Sequence, residues 1–162
     1  MASLWIQPLP TRRSTVFLGH ALGTALRSGD LLVLSGDLGA GKTFLTRALC
    51  RGAGVPSSER VTSPTFSLVQ EHLGRVRIAH ADLYRLETPE ELPPLGLRDL
   101  RASGAALVVE WGERWLEELG PDPLRIEIRL GSEGREASLQ TSGPRSQELV
   151  EALRSAPGLA LR

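Results

Sequence analysis

The sequence predicts an α/β fold with a mixed, mostly parallel central sheet that is flanked by helices and extended by antiparallel hairpins. Two short apolar runs, Leu31–Ser35 and Ala105–Val109, have the length and composition of buried parallel strands. A third run, Leu124–Leu130, alternates inward apolar and outward charged residues, and Gly131–Gly134 joins it to a partner strand over Glu136–Thr141. Helical patterns occur between the strands, as α/β topology requires.

At the N-terminus the pattern predicts an edge strand followed by a helix. Leu4–Ile6 is the strand, and Pro8 and Pro10 are expected to close it. Thr11 is expected to cap a helix that runs to about Arg27. The apolar face of this helix is predicted to contain Val16, Phe17, Leu18, Ala21, Leu22 and Leu26.

In the middle of the chain the pattern predicts a helix, a loop and a hairpin. Phe44–Cys50 contains no helix breaker and is expected to be helical, and Gly52–Arg60 is expected to be a loop. Thr65–Leu73 and Arg75–Leu83 are two strand-like runs on either side of a glycine, which indicates a β-hairpin.

The C-terminal half contains three further helical signals. Thr88–Glu91 has a capping threonine, a proline at the first helical position and a glutamate that completes a capping box. Glu113–Leu119 is predicted as a short helix and Ser146–Leu153 as a terminal helix. Because we find no repeat and no linker, we expect one domain over residues 1–162.

Composition excludes several classes of protein. The formal net charge is zero, so there is no general electrostatic attraction to nucleic acid, and any RNA contact is expected to be local or made through a partner. The single cysteine, Cys50, excludes an internal disulfide and fits a reducing compartment. The sequence contains neither a signal-peptide pattern nor a membrane-spanning apolar stretch, so we expect a cytoplasmic protein without membrane association.

Gly36–Thr43 matches the Walker A pattern G-x-x-x-x-G-K-[ST] of a phosphate-binding loop. Lys42 is the only lysine among 19 lysine and arginine residues, and a phosphate loop requires a compact ammonium group at this position. Strand, glycine-rich loop and helix follow in the required order, which predicts a P-loop NTPase-like fold with phosphate at the helix N-terminus. The expected nucleotide contacts in and beside the loop are Asp37, Leu38, Gly39, Ala40, Gly41, Lys42, Thr43 and Phe44.

Two acidic residues are candidates for holding Mg²⁺ or polarising water beside this loop. Glu110 directly follows the apolar run Leu107–Val109, which is the more usual position for such an acid. Asp82 ends the run Val76–Ala81. The alternative for Glu110 is a solvated strand end, and the alternative for Asp82 is a side chain that caps a turn.

Three other features have both a functional and a structural interpretation. In Ser63–Thr65, Thr65 is a candidate sensor of the γ-phosphate or the metal, whereas Pro64 alone accounts for a turn. His80 is either a general base or a structural hydrogen-bonding residue. Trp111 either covers the nucleotide site or packs in the core.

The order and spacing of these motifs resemble the TsaE family (also called YjeE) of bacterial P-loop ATPases, roughly from Thr11 to Thr141. The segments that carry the resemblance are the phosphate loop, Ser63–Thr65, His80–Leu86, Glu90–Leu92 with Gly96, Glu110–Trp111 and Gly134–Glu136. The resemblance implies an accessory ATPase in the synthesis of threonylcarbamoyladenosine in tRNA. It also implies ATP as substrate, Mg²⁺ as metal, and two protein partners, the transferase TsaD and its non-catalytic partner TsaB.

In this family, ATP binding and hydrolysis are associated with resetting the TsaB–TsaD complex, and tRNA is expected to be contacted through that complex. Turnover by the chain alone is expected to be slow and to be stimulated by its partners. The resemblance implies catalytic roles for Lys42, Asp82 and Glu110, and metal binding by Thr43 and Glu110. It places Ser63, Pro64 and Thr65 in a switch segment, Arg135 and Thr11 at the nucleotide, and His80, Tyr84, Arg85 and Trp111 at further motif positions.

Three other functions are alternatives to this interpretation. A GTPase usually reads guanine with an Asn/Thr-Lys-x-Asp segment, and this chain has no asparagine and no second lysine. A small-molecule kinase usually has an arginine-rich lid, which Arg98–Arg101 could imitate. In a nucleotide-gated docking module, ATP would control complex formation without significant turnover.

Overall fold

One mixed sheet contains all the strands of the computed structural model, which describes residues 2–162; Met1, the first residue of the expected domain, lies outside it. The strands are β1 (Leu4–Leu9), β2 (Leu31–Ser35), β3 (Val69–Leu73), β4 (Arg77–Asp82), β5 (Ala106–Glu110), β6 (Pro123–Gly131) and β7 (Gly134–Gln140). Their order across the sheet is β1-β7-β6-β2-β5-β4-β3. The central strands β6, β2, β5 and β4 are parallel, whereas β1, β7 and β3 pair antiparallel. The predicted fold class is therefore confirmed.

Helices cover both faces of the sheet. They are α1 (Arg12–Ala25), α2 (Lys42–Gly52), α3 (Leu97–Ala102), α4 (Leu116–Leu119) and α5 (Pro144–Arg154), with 3₁₀ turns at Pro89–Glu91 and Pro93–Leu95. Apolar side chains of α1, α2 and α5 form one buried cluster with one face of the sheet, and those of α3 and α4 form a second cluster with the other face. Within residues 2–162 no helix is both long and apolar enough to span a membrane.

The sheet register brings the predicted site residues to one edge. Leu34 of β2 lies beside Glu110 of β5, and Glu110 lies beside Asp82 of β4. Because all three strands are parallel, their carboxyl ends meet where the phosphate loop leaves β2. The topology therefore places both candidate acids next to the loop.

Close contact between α1 and α2 fixes the helix that follows the phosphate loop. A Cβ atom added at Gly19 would lie 2.5 Å from Cβ of Ala48 in α2, so this approach requires glycine. The predicted apolar face of α1 is only partly right, since Val16 and Phe17 are 38% and 37% exposed. The face that packs inward contains Thr15, Leu18, Gly19, Leu22 and Gly23.

The first strand is longer than predicted because it continues through Pro8 to Leu9. Ile6, two residues earlier, directs its N–H away from β7 to the carbonyl of Arg162. Since alternate residues of a strand point the same way, the missing N–H of Pro8 costs no bond to β7. Pro10 lies just outside the strand, as expected.

Several boundaries also differ from the prediction. Of the run Thr65–Leu73, only Val69–Leu73 is a strand, because Leu68 has a φ of 62° and forms a turn; the hairpin with β4 is confirmed. The Thr88–Glu91 capping box forms, but it begins a 3₁₀ turn rather than an α-helix. Leu130, predicted to face inward, is 82% exposed because the end of β6 extends beyond the core.

Candidate nucleotide-binding site

The phosphate loop presents its backbone to open space. Gly41, the N-cap of α2, has a φ of 112° and no side-chain capping bond. The amides of the first turn of α2 therefore keep their donors available for an anion. A Cβ atom added at Gly39 or Gly41 would meet no atom within 4 Å, whereas one added at Gly36 would overlap the carbonyl oxygen of Ile128 in β6. The start of the loop is thus held against the sheet while its tip stays open.

The Lys42 ammonium group is held at the base of the loop. Its Nζ donates to the carbonyl oxygens of Gly36 and Asp37, at 2.5 and 2.9 Å, and lies 4.2 Å from the ring centroid of Trp111. Burial lowers the pKa of Lys42 from its ordinary value, although nearby carboxylates, Glu110 first among them, oppose this effect. A bound phosphate would add the negative charge that favours the protonated amine.

Glu110 is the centre of a buried hydrogen-bonded chain. Its side chain lies at the end of β5 and is 2% exposed. One carboxylate oxygen accepts the Thr43 hydroxyl at 2.9 Å, and the other lies 2.5 Å from Nε2 of the fully buried His80. The alternative of a solvated strand end is therefore wrong for Glu110. His80 has the hydrogen-bonding role that was one of its two interpretations.

Asp82 lies on the neighbouring strand but has different partners. Its Oδ2 accepts the Ser63 hydroxyl at 2.5 Å, and its Oδ1 accepts the backbone N–H of Tyr84 at 3.0 Å. The bond to Tyr84 is the turn-capping bond expected from the structural interpretation. The bond to Ser63 connects the predicted switch segment to the site. Asp82 therefore both caps a turn and contacts the switch segment.

Within the predicted switch segment, Ser63 is the residue that bonds to one of the two candidate acids. Pro64 is buried, and its carbonyl accepts the N–H of Leu68 at 2.9 Å, which closes a turn. Thr65 is exposed, and its hydroxyl donates to the carbonyl of Ser63 at 3.3 Å. In this arrangement Thr65 serves the local turn and does not contact Thr43 or Glu110.

Trp111 covers the lysine and lies outside both core clusters. Its φ of 60° turns the chain at the end of β5, and its N–H donates to the carbonyl of Leu34 at 3.0 Å. The Tyr84 ring lies 4.9 Å from the Trp111 ring, at an interplanar angle of 51°. Arg85 points elsewhere, since its guanidinium lies 5.7 Å from the ring of Phe66.

These elements enclose a cleft of about 300 Å³. Its lining residues are Leu38, Gly39, Gly41, Lys42, Thr43, Phe44, Ser63, Asp82, Glu110 and Trp111. Asp37 and Ala40 brace the loop through a 3.0 Å bond between their backbones. Arg135 lies at the rim, where Nη2 donates to the carbonyl of Gly39 at 3.2 Å. Thr11 caps α1 as predicted; its hydroxyl accepts the N–H of Ser14.

Two residues of the site were missed by sequence reasoning. The Arg12 guanidinium lies 4.9 Å from the ring of Phe44, which follows the loop threonine. One carboxylate oxygen of Glu113 is buried without a hydrogen-bond partner in the described part of the chain, and its charge acts on Lys42. The contact of Arg12 depends on how α1 packs on α2, so no local pattern reveals it. Glu113 follows Glu110 by only three residues, which suggests a position near the site but is not a specific pattern.

The side chains and backbone of this cleft fit a nucleoside triphosphate with Mg²⁺. Thr43, Glu110 and Asp82 offer the hydroxyl and carboxylate oxygens that Mg²⁺ prefers. The open glycine backbone and the Lys42 ammonium offer the donors and the positive charge that phosphates require.

Comparison with known families agrees with this geometry. The family model described as threonylcarbamoyl adenosine biosynthesis protein TsaE matches residues 9–138. The chain belongs to the TsaE family. Nucleotide binding follows from the P-loop of this family, and the resemblance seen in the motifs is confirmed.

Curated relatives named tRNA threonylcarbamoyladenosine biosynthesis protein TsaE come from diverse bacteria. The chain is 49% identical to the Streptomyces coelicolor protein over 115 residues, which cover 68% of this chain and 76% of the relative. It is 30% identical to the Rickettsia felis protein over 150 residues, which cover 92% and 86%. The crystal structure of Bacillus subtilis YdiB matches with a TM-score of 0.73 and 28% identity over 94% of each chain. The TsaE fold therefore extends over nearly all of this chain.

Proposed function

We propose that this chain is an accessory ATPase for threonylcarbamoyladenosine modification of tRNA, and that it binds and hydrolyses ATP with Mg²⁺ to reset a TsaB–TsaD transferase complex. One observation supports this proposal above the others. The loop residues Lys42 and Thr43 share one cleft with Glu110 and Asp82, so side chains suited to bind phosphate, to bind metal and to orient water lie together at the end of the sheet. The names of the family and its relatives support the tRNA pathway.

The loop itself performs the binding steps. The amides at the start of α2 hold the β-phosphate at the positive end of the helix dipole. Lys42, which already lies beside the loop carbonyls, turns its ammonium toward the bridging and γ oxygens and offsets their charge. Trp111 and Phe44 are aromatic residues of the cleft lining and would limit water access to bound phosphates.

Glu110 and Asp82 have different roles in this proposal. Glu110 is bonded to Thr43, so it orients the hydroxyl that would ligate Mg²⁺. Asp82 is bonded to Ser63 of the switch segment, so it stands closer to the groups that would orient the attacking water. When bound, Mg²⁺ would neutralise the charge that develops on the phosphate oxygens. This division assigns metal organisation to Glu110 and water orientation to Asp82.

A partner is needed in this proposal because Lys42 is the single cationic side chain among the described residues that line the cleft. Within residues 2–162 no arginine lines the cleft, and Arg135 and Arg12 lie only at its margins. An arginine supplied by another protein can raise phosphoryl-transfer rates by about 10³–10⁵-fold. We therefore expect slow hydrolysis by the chain alone and faster hydrolysis in the TsaB–TsaD complex.

The proposal is tested by measuring ATP hydrolysis by the chain alone and then with TsaB, TsaD and tRNA, each with and without Mg²⁺. Lys42→Ala is the matched control, because it removes the ammonium group but leaves the loop backbone in place. We expect partner-dependent stimulation that disappears in Lys42→Ala and in EDTA. Binding of ATP with equal, negligible turnover in both settings would instead support a nucleotide-gated docking module. Transfer of phosphate to an added acceptor would support a kinase.

A further inference from the structure

We infer that His80 is a positioning residue that holds the Glu110 carboxylate in the orientation required for Mg²⁺ binding. This inference deepens the proposed function, because it concerns the metal side of the same site. Glu110 contacts Thr43 through Oε1 and His80 through Oε2. The imidazole therefore restricts rotation of the carboxylate and keeps Oε1 at the Thr43 hydroxyl. His80 is absent from the cleft lining, so it would act on the metal only through Glu110.

The position of His80 explains why a histidine is buried there. Its side chain is 0% exposed, lies on β4, and faces the same side of the sheet as Glu110 and the start of α2. A carboxylate only accepts hydrogen bonds, so Nε2 is the donor. The other ring nitrogen, Nδ1, has no hydrogen-bond partner among the described residues. Because leaving Nδ1 unpaired costs free energy, the bond between Nε2 and Glu110 is the interaction that accounts for a histidine at this buried position.

Groups that hydrogen-bond to a metal-binding residue, as His80 does to Glu110, set the basicity and the orientation of that residue. In metal sites generally, loss of such a partner lowers metal affinity by about 10–100-fold. Without the His80 donor, Oε2 of Glu110 would be a buried, unpaired anion, and the carboxylate would turn toward other donors. The Thr43 hydroxyl would then lose its fixed acceptor, and Mg²⁺ would bind more weakly while the loop amides still bound phosphate.

His72 provides a matched control on the neighbouring strand. It is 3% exposed, its ring centroid lies 6.5 Å from that of His80, and its Nε2 is likewise unpaired. Its Nδ1 lies 2.7 Å from Oε1 of Glu59, which is not a cleft-lining residue. The two histidines thus share burial and environment, but only His80 touches Glu110.

The test compares His80→Leu, His80→Gln, His80→Asn and His72→Leu in the full chain. A glutamine amide stands the same number of bonds from Cα as Nε2 of histidine and can replace its donor, whereas an asparagine amide is one bond too short. The measurement is the affinity for a fluorescent ATP analogue, first in EDTA and then in a Mg²⁺ titration. Because it reports binding, it stays informative even if the chain proves to have no ATPase activity.

We expect His80→Leu and His80→Asn to raise the half-saturating Mg²⁺ concentration by about 10–100-fold with little change of affinity in EDTA. His80→Gln and His72→Leu should stay close to the wild-type value. A wild-type Mg²⁺ midpoint in His80→Leu, or an equal shift in His72→Leu, would overturn the inference. If His80→Leu does not fold, the Gln and Asn variants decide, and equal Mg²⁺ midpoints for those two would reject a positioning role.

Discussion

The ion pair between Asp30 and Arg145 gives the sharpest prediction about stability. Asp30 lies just before β2 and is 3% exposed. Its carboxylate accepts Nε and Nη2 of Arg145 at 2.7 and 2.8 Å, and also the backbone N–H of Arg27 at 2.8 Å. This two-point contact joins the start of β2 to α5, and it raises the pKa of Arg145 chiefly through the hydrogen bond to Asp30. Asp30→Ala would remove all three bonds at once.

The expected cost follows from the burial of the two groups. Removing one partner of a buried ion pair costs about 3–5 kcal/mol, because the other charge is left unpaired. Arg145 is 25% exposed and keeps a 2.9 Å bond to the carbonyl of Ala25, so the lower end applies. We therefore expect Asp30→Ala to lower the free energy of unfolding by about 3 kcal/mol. For a chain of this length the melting temperature should fall by roughly 6–12 °C.

Denaturant unfolding of Asp30→Ala, Asp30→Asn and Arg27→Ala is the assay. Arg27 pairs with Glu148 at 3.1 Å, but the two side chains are 67% and 59% exposed, so this control should cost less than about 1 kcal/mol. Asp30→Asn keeps an acceptor for the Arg27 amide and should lie between the two. Because Asp30 and the phosphate loop are at opposite ends of β2, ATP affinity should not change. Similar small losses for Asp30→Ala and Arg27→Ala would refute the reasoning.

Three further predictions concern the site and its supporting helix. Glu110→Ala should lower kcat by about 10–100-fold while affinity for ATP in EDTA changes little; an unchanged rate would contradict its role. Gly41→Ala should destabilise the fold by roughly 1–2 kcal/mol and weaken ATP binding, whereas Gly29→Ala, with a φ of 83° at the other end of β2, should affect only stability. Burial raises the pKa of Cys50 to about 12, so the native thiol should resist alkylation at pH 9 and react only as the chain unfolds.

Elements with a strong local pattern were predictable from the sequence. The buried strands Leu31–Ser35 and Ala106–Glu110 and the hairpin β6–β7 appear where hydrophobic runs and glycines predict them. Errors occur where tertiary packing overrides that pattern. Phe17 is apolar but 37% exposed, because the inward face of α1 combines buried leucines with glycines that allow close contact with α2. A sequence-based apolar face weights large residues and overlooks a surface that requires small ones.

The candidate site shows the same division between local and distant information. Lys42 and Thr43 are specified by one contiguous motif, since a loop that binds phosphate through backbone amides must be continuous in sequence. Glu110 and Asp82 were identifiable because parallel strands bring their carboxyl ends to the same edge. Both inferences use rules of geometry that hold before any side-chain contact is known.

The contacts between these residues required the three-dimensional structure. Both acids end neighbouring strands, and from sequence either could organise the metal or the water. Their partners differ because β5 borders β2, so Glu110 stands over Thr43 at the start of α2, whereas Asp82 stands one strand further out beside Ser63. The distance from β2 thus gives two chemically similar carboxylates different hydrogen-bond partners. The proposed division between Glu110 and Asp82 is therefore a consequence of strand order, which no motif encodes.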